Sequence, residues 1–513
     1  MTQNRLTTGI KGLDNILGGG LPAGHLYLIE GDPGTGKTTL ALQFLLAGAS
    51  QGESVLYVTL SESARELRDV AASHGWSLEK VIIFELLPDE ESLRPESQYT
   101  VFHPSEVELG DTTKAIVAKV EEVQPKRIVI DSLSELRMLA QDPLRYRRQI
   151  LAFKQYFSGK QCTVILLDDR TNSDRDLQLQ SIAHGVLALE NLPRDYGIKR
   201  RRLEVLKLRG SSFREGFHDY GIKHGGLSVY PRLIASEHKT GFQQEQISSG
   251  IKELDALVGG GIDRGTSTLV MGPAGAGKST IAAKYAFAAM QRGEPAAVYL
   301  FDEGIRSYLF RLKSLGFDAK PFLEQGLFHL HQIDVAELSP GEFAHRVHEA
   351  VETDGAKVVI IDSLNGFLNA MPGEKYLPMQ LHELTTFLNQ KGVASFMVLA
   401  QHGLIGREMQ TPVDVSYLAD SVLLLRFFEA NGEVRQAISM IKKRSGSHER
   451  SIRELRLQGG IIVGDPLFDF KGVLTGVPDV LVRKRSKTDG KDKEKDRYRN
   501  ADRGPGNGHD AAQ

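Results

Sequence analysis

Short apolar runs alternate along the chain with longer stretches in which apolar residues recur every three or four positions. VLYVTL (55–60), RIVID (127–131) and TVILLD (163–168) predict short buried strands. TTLALQFLLAGASQG (38–52) and PLRYRRQILAFKQYF (143–157) predict amphipathic helices between them. Strands covered by helices on both faces make a largely parallel sheet, so the expected fold class is α/β.

The pattern is written twice. TGIKGLDNILGGGLPAGHLYLIEGDPGTGKTT from Thr8 realigns with SGIKELDALVGGGIDRGTSTLVMGPAGAGKST from Ser249. The match continues through QGESVLYVTLSE and RGEPAAVYLFDE, then through KRIVIDSLSELRML and KVVIIDSLNGFLNA. A period far above ~50 residues marks a duplicated domain and not a solenoid. The expected organisation is one domain at 1–235, a linker at 236–248, a second domain at 249–480 and a tail at 481–513. From Arg483 the tail carries ten Lys/Arg against six Asp/Glu and almost nothing apolar. Such a segment cannot bury enough surface to offset its ordering entropy, so it is expected to be disordered.

Composition narrows the partners. The formal charge of −2 over 513 residues gives no global attraction to a nucleic-acid polyanion. The single cysteine, Cys162, excludes an internal disulfide and an all-cysteine zinc site, and its place in CTVILL predicts a buried strand thiol. The N-terminus MTQNRLTTGIKGLDN lacks the apolar core of a signal peptide, and no run reaches the ~18 apolar residues of a membrane helix. A cytoplasmic protein with no membrane association is expected.

The chemistry is concentrated in GDPGTGKTTL (31–40) and GPAGAGKSTI (272–281), which both fit G-x-x-x-x-G-K-[ST]. In that loop the glycines let backbone N–H groups face phosphates, the lysine neutralises them, and the hydroxyl ligates Mg²⁺. The expected nucleotide-binding residues are Gly34, Thr35, Gly36, Lys37, Thr38 and Thr39, then Gly275, Ala276, Gly277, Lys278, Ser279 and Thr280, with ATP and Mg²⁺ as cofactors. Asp131 and Asp362 each end an apolar strand at matching places, which suits a metal-orienting carboxylate beside Thr38 or Ser279. An acid there could instead cap the following helix, but its pairing with a phosphate loop in each copy favours the metal site.

Acids at the end of the next strand suit a general base: Glu62 in TLSES, and Asp302 with Glu303 in LFDEG. The competing account is helix-starting acids held by the helix dipole. Cations that meet charge developing on a γ-phosphate are expected in LKLRGSS, with Lys207, Leu208 and Arg209, and in MIKKRSGS, with Lys442, Lys443 and Arg444. Alternate positions on a strand share a face, so Lys207 pairs with Arg209 and Lys442 with Arg444, although a solvated strand face would look the same.

Taken together, the two phosphate-loop segments, IVIDS, LKLRGSS and the whole second copy resemble the KaiC family of tandem RecA-like ATPases of the cyanobacterial clock and its bacterial relatives, over roughly residues 4–480. The resemblance implies two stacked rings in a homohexamer, with ATP between adjacent subunits and the cations of one chain reaching a neighbour's nucleotide. It implies an autokinase in the second domain, whose two acceptors, a serine followed by a threonine, fall on Ser416 and Tyr417 of DVSYLADSVLLLRF. Tyrosine in place of threonine departs from the two-site pattern. The family's paired glutamates fall on Ser61 and Glu62, and on Asp302 and Glu303, so the first domain lacks one acid. A protein partner at the C-terminal segment is also implied.

Two other classes stay open on the residues. A nucleic-acid motor would share the RecA-like fold, but the charge, the absence of a CxxC element and the lack of a basic groove motif argue against nucleic acid as a partner. A nucleotide-gated scaffold would hydrolyse ATP without accumulating phosphoserine.

Overall fold

The computed structural model describes residues 4–86, 104–169, 177–193, 197–334, 336–369, 376–401, 416–475 and 479–480. The tail at 481–513, expected to be disordered, lies outside the described residues.

Each copy is built on a nine-stranded sheet. In the first copy the strands are β1 (Leu26–Gly31), β2 (Val55–Thr59), β3 (Ile82–Glu85), β4 (Arg127–Asp131), β5 (Thr163–Asp169), β6 (Gly185–Leu192), β7 (Arg200–Leu208), β8 (Phe217–Lys223) and β9 (Gly226–Tyr230). Their order across the sheet is 9-8-7-6-1-5-4-2-3. In the second copy they are β10 (Ser267–Gly272), β11 (Ala296–Leu300), β12 (Phe328–Gln332), β13 (Val358–Asp362), β14 (Ala394–Ala400), β15 (Ser421–Ala430), β16 (Glu433–Lys443), β17 (Ile452–Arg456) and β18 (Ile462–Pro466). The order 18-17-16-15-10-14-13-11-12 repeats the first sheet strand for strand. From β3 to β6 all neighbours run parallel, and β7, β8 and β9 extend that edge as antiparallel strands. These are two tandem RecA-like domains.

Helices cover both faces, which explains why the strands read as unbroken apolar runs. On β1, Tyr27 and Ile29 join a core with Phe44 and Leu45 of α1 (Lys37–Ser50), whereas Leu26 and Leu28 face Phe153 and Phe157 of α2 (Pro143–Lys160). Cys162 is buried, as its apolar setting predicts.

The segment expected to be a linker is partly built into structure. Ala235–His238 forms a 3₁₀ turn, and Gln246–Ile247 pairs antiparallel with Ile262–Asp263. The two domains also touch directly where β8 meets α3 (Pro340–Glu352). Asp219 on β8 accepts from the Gly341 backbone N–H at 2.8 Å and pairs with Arg200 at 3.0 Å. Beside it, Lys223 pairs with Glu342 at 2.7 Å. Against the cost of burial, hydrogen bonds from Lys223 and Arg346 hold the Glu342 carboxyl below the usual range. No helix among the described residues is long and apolar enough to cross a membrane.

Candidate functional site

Each phosphate loop leaves the C-terminal end of a central strand and runs straight into a helix. In the first domain β1 ends at Gly31 and α1 starts at Lys37, while in the second β10 ends at Gly272 and α4 (Lys278–Gln291) starts at the second loop lysine. Gly36 and Gly277, the residues before those helices, have φ of 92° and 96°, which side chains avoid. A Cβ on Gly36 would also lie 2.6 Å from Ile222. Neither helix start carries a side-chain cap, so its first N–H groups face the loop and suit an anion. Thr35 Oγ1 donates to Asp32 O at 2.8 Å, which helps close the first loop, and Ala276 is buried in the second. Gly275 O accepts from Gln436, and Gly34 faces open space. Thr39 and Thr280 are buried within the first turns of their helices.

The two lysines differ. Lys37 Nζ donates to Gly31 O at 2.6 Å and lies 2.5 Å from Asp169 at the end of β5. Lys278 Nζ donates to Pro273 O at 2.7 Å, and the position matching Asp169 in the sheet is Ala400. Burial lowers the Lys278 ammonium to about 8, with Asp362 opposing the shift.

The hydroxyl and carboxylate expected to orient a metal come together in both domains. Thr38 Oγ1 lies 3.3 Å from Asp131, which also accepts from Tyr57 OH at 2.5 Å. Ser279 hydrogen-bonds Asp362 in the same way. Burial raises both carboxyls above the usual range, opposed by those hydrogen bonds. A hydroxyl and a partly desolvated carboxylate beside the loop lysine fit Mg²⁺ held with nucleotide phosphates. Glu62 fits the same arrangement: one carboxylate oxygen is buried with no hydrogen-bond partner, and burial, then Asp131, raises its pKa.

The second domain treats its acids differently. Asp302 accepts from Ser363 Oγ, next to Asp362, and Glu303 pairs with Arg311 at 2.6 Å. Arg311 stands on α5 (Ile305–Ser314), and the matching position on the equivalent first-domain helix is Val70.

The expected cations gather elsewhere. Strand register puts Lys207 level with Val186 and Leu28, three residues before the loop begins at Gly31. Because β7 runs antiparallel to β1, Leu208 and Arg209 continue away from that loop. Lys442 is likewise level with Val422 and Leu269, before Gly272. At ~3.3 Å per residue the backbone separation is already ~10 Å and grows towards Arg209 and Arg444. Lys207 donates to Gln180 O at 2.5 Å and Arg209 to Ser181 O at 2.7 Å. In the second domain Lys442 donates to Ser416 O at 3.0 Å and Arg444 to Tyr417 O at 2.8 Å. Lys443 faces the other way and holds Val258 O at 2.7 Å inside its own domain.

The family model described as "ATPase: KaiC" matches residues 6–234 and again residues 247–466. The chain belongs to the KaiC ATPase family. Among its relatives, the circadian clock oscillator protein KaiC of Acaryochloris marina is 26% identical over 503 residues, covering 92% of this chain and 91% of that protein. KaiC of Thermostichus vulcanus is 27% identical over 489 residues, with 92% of each chain covered. The circadian clock protein KaiC3 of Synechocystis is 26% identical over 486 residues, covering 92% of this chain and 94% of that one.

Within this KaiC-family frame, three side chains at the sites escape a search for matching motifs. Tyr57 and Asp169 touch the first site, and Arg311 the second, but their counterparts are Val298, Ala400 and Val70. A reading that seeks residues shared by both copies passes over such positions. The one signal was DD at the end of TVILLDD, two acids closing a strand beside the loop.

Proposed function

We propose that the chain hydrolyses ATP in both domains as a homohexamer, with ATP and Mg²⁺ shared between adjacent copies, and that the second domain phosphorylates Ser416 in the neighbouring copy. The observation that carries this reading is the placement of Lys442 and Arg444 away from their own phosphate loop while they hold the Ser416 and Tyr417 carbonyls. Cations at that end of the sheet lie away from their own loop, which supports a role at another chain's nucleotide with Ser416 beside them.

Lys37 and Lys278 would neutralise the phosphates, and Thr38 with Asp131, or Ser279 with Asp362, would hold Mg²⁺. When bound, Mg²⁺ supplies charge neutralisation at the transferring phosphoryl group. Glu62 orients and deprotonates the attacking water in the first domain. In the second, Glu303 takes the proton of water or of the Ser416 hydroxyl once it leaves Arg311, and Asp302 keeps Ser363 in place. Lys207 with Arg209, and Lys442 with Arg444, meet the charge that develops on the γ-phosphate in trans. Tyr417 is 55% exposed and replaces the second acceptor, so a single phosphoserine is proposed. The circadian-clock names of the relatives support a timing role, and the tail is proposed as a site for a protein partner.

Mixing two chains, neither able to gain phosphate on Ser416 alone, tests this. Lys278→Ala keeps acceptor and cations, and Ser416→Ala keeps a working loop. Incubated together with Mg²⁺ and ATP, they should yield phosphate on Ser416 of the Lys278→Ala chain, read by mass spectrometry, whereas Lys278→Ala alone should yield none. Continued ATP hydrolysis by the unmodified chain without phosphoserine would favour the nucleotide-gated scaffold.

A further inference from the structure

Away from both nucleotide sites, the junction between the domains holds a cluster that hydrolysis does not use. His238 lies in the 3₁₀ turn after the first domain, and His348 and Glu352 stand one turn apart on one face of α3. One ligand atom from each lies within 4.8 Å of the others, and His238 Nδ1 is 3.9 Å from Glu352 Oε1. All three line a cavity of about 680 Å³ whose far wall, with Gly9, Asn15 and Arg214, belongs to the first domain.

The geometry points to a divalent transition-metal site, of the kind that binds Zn²⁺, formed by His238, His348 and Glu352. Two imidazoles and a carboxylate are a zinc ligand set with room for water in the fourth position. An oxygen-seeking ion such as Mg²⁺ would not select it. The rings pack on Phe387, at 5.0 Å and 5.3 Å between centroids, which gives the ligands an apolar backing. Lys391 pairs at 2.7 Å with the same Glu352 oxygen that lies nearest His238, so a bound ion would share that carboxylate with the lysine. A metal here would tie the linker to the second domain beside the first.

The test uses the full chain, freed of metal by a chelator and kept without nucleotide or Mg²⁺, titrated with Zn²⁺ alone by calorimetry. One Zn²⁺ per chain is expected, together with a rise in the thermal unfolding midpoint. His238→Ala and His348→Ala should each weaken binding by more than ~100-fold, since even partners of metal ligands change affinity by 10- to 100-fold. Glu352→Gln, which keeps the side-chain shape, should weaken it at least about tenfold and lose the thermal shift. His224→Ala, an exposed histidine elsewhere, should bind as the parent does. If an alanine variant fails to fold, His348→Gln replaces it, judged by an unchanged melting curve without zinc. The site is refuted if no stoichiometric binding occurs, or if the folded variants bind Zn²⁺ like the parent.

Discussion

ATP binding at the second site should take up a proton in mildly alkaline solution. Lys278 is buried, its ammonium has one close carbonyl partner, and burial holds it at about 8 instead of 10.5. Bound phosphates would restore the charged form. Near pH 8 about half of the empty sites then carry a neutral lysine, so binding recruits about half a proton, rising to about nine-tenths near pH 9. If only the charged form binds well, affinity falls about tenfold, or ~1.4 kcal/mol, for each pH unit above that value. The sign for folding follows from the same difference. Between about 8 and 10.5 the unfolded chain holds more protons than the folded one, so the nucleotide-free protein gains stability as pH rises through that window. The assay is calorimetry of ATP binding to Lys37→Ala, which leaves only the second site, in two buffers of different ionisation enthalpy. Lys278→Ala supplies the comparison, because at the first site ATP has to displace Asp169 from Lys37. Proton uptake that stays near zero between about pH 7 and pH 9 at the second site would refute the reasoning.

Other outcomes follow from single side chains. Burial raises Glu62, so ionising it costs folding free energy above its ordinary 4.5. Glu62→Gln should raise the urea midpoint at neutral pH, with the gain gone below about pH 4.5, yet slow first-domain hydrolysis at least ~100-fold, measured with Lys278→Ala. Arg311→Met frees Glu303 from a pair whose members are about one-third exposed. Such pairs are worth at most ~1 kcal/mol, so second-domain turnover should rise by up to about fivefold in a Lys37→Ala chain, and a fall would mean that Arg311 orients the acid instead. Arg127 is fully buried, bound to Glu53 at 2.5 Å and to the carbonyls of Thr7 and Phe44. Arg127→Met should lower unfolding stability by about 3–5 kcal/mol in urea titrations, and adding Glu53→Gln should restore part of it by removing the stranded charge.

The parts legible in the sequence were those that repeat. Gly36 and Lys37 announce a loop, and Asp131 at the end of RIVID announces the carboxylate that meets Thr38 beside it, because backbone conformation and strand burial both act locally. The antiparallel edge β7 to β9 was less legible, since RRRLEVLKL mixes charged with apolar residues, most of them only partly buried, and lacks the apolar signature of the central strands. Tyr57, Asp169 and Arg311 were missed for another reason. Each reaches the site across the tertiary fold from a different strand or helix, and each belongs to one copy alone. The position of Lys443, facing away from Lys442 and Arg444, follows directly from strand alternation.

The strand order shared by both sheets has a historical meaning. Nine strands in one order, down to the antiparallel edge, could not have been duplicated piecemeal, so the ancestral gene encoded one finished domain. Both copies also keep their lysine and arginine on the side away from their own loop, so that placement dates from before the duplication. Fusion therefore joined two finished domains end to end, and left each half free to change its counter-ions without the other, as with Asp169 beside Lys37 in one and Arg311 beside Glu303 in the other.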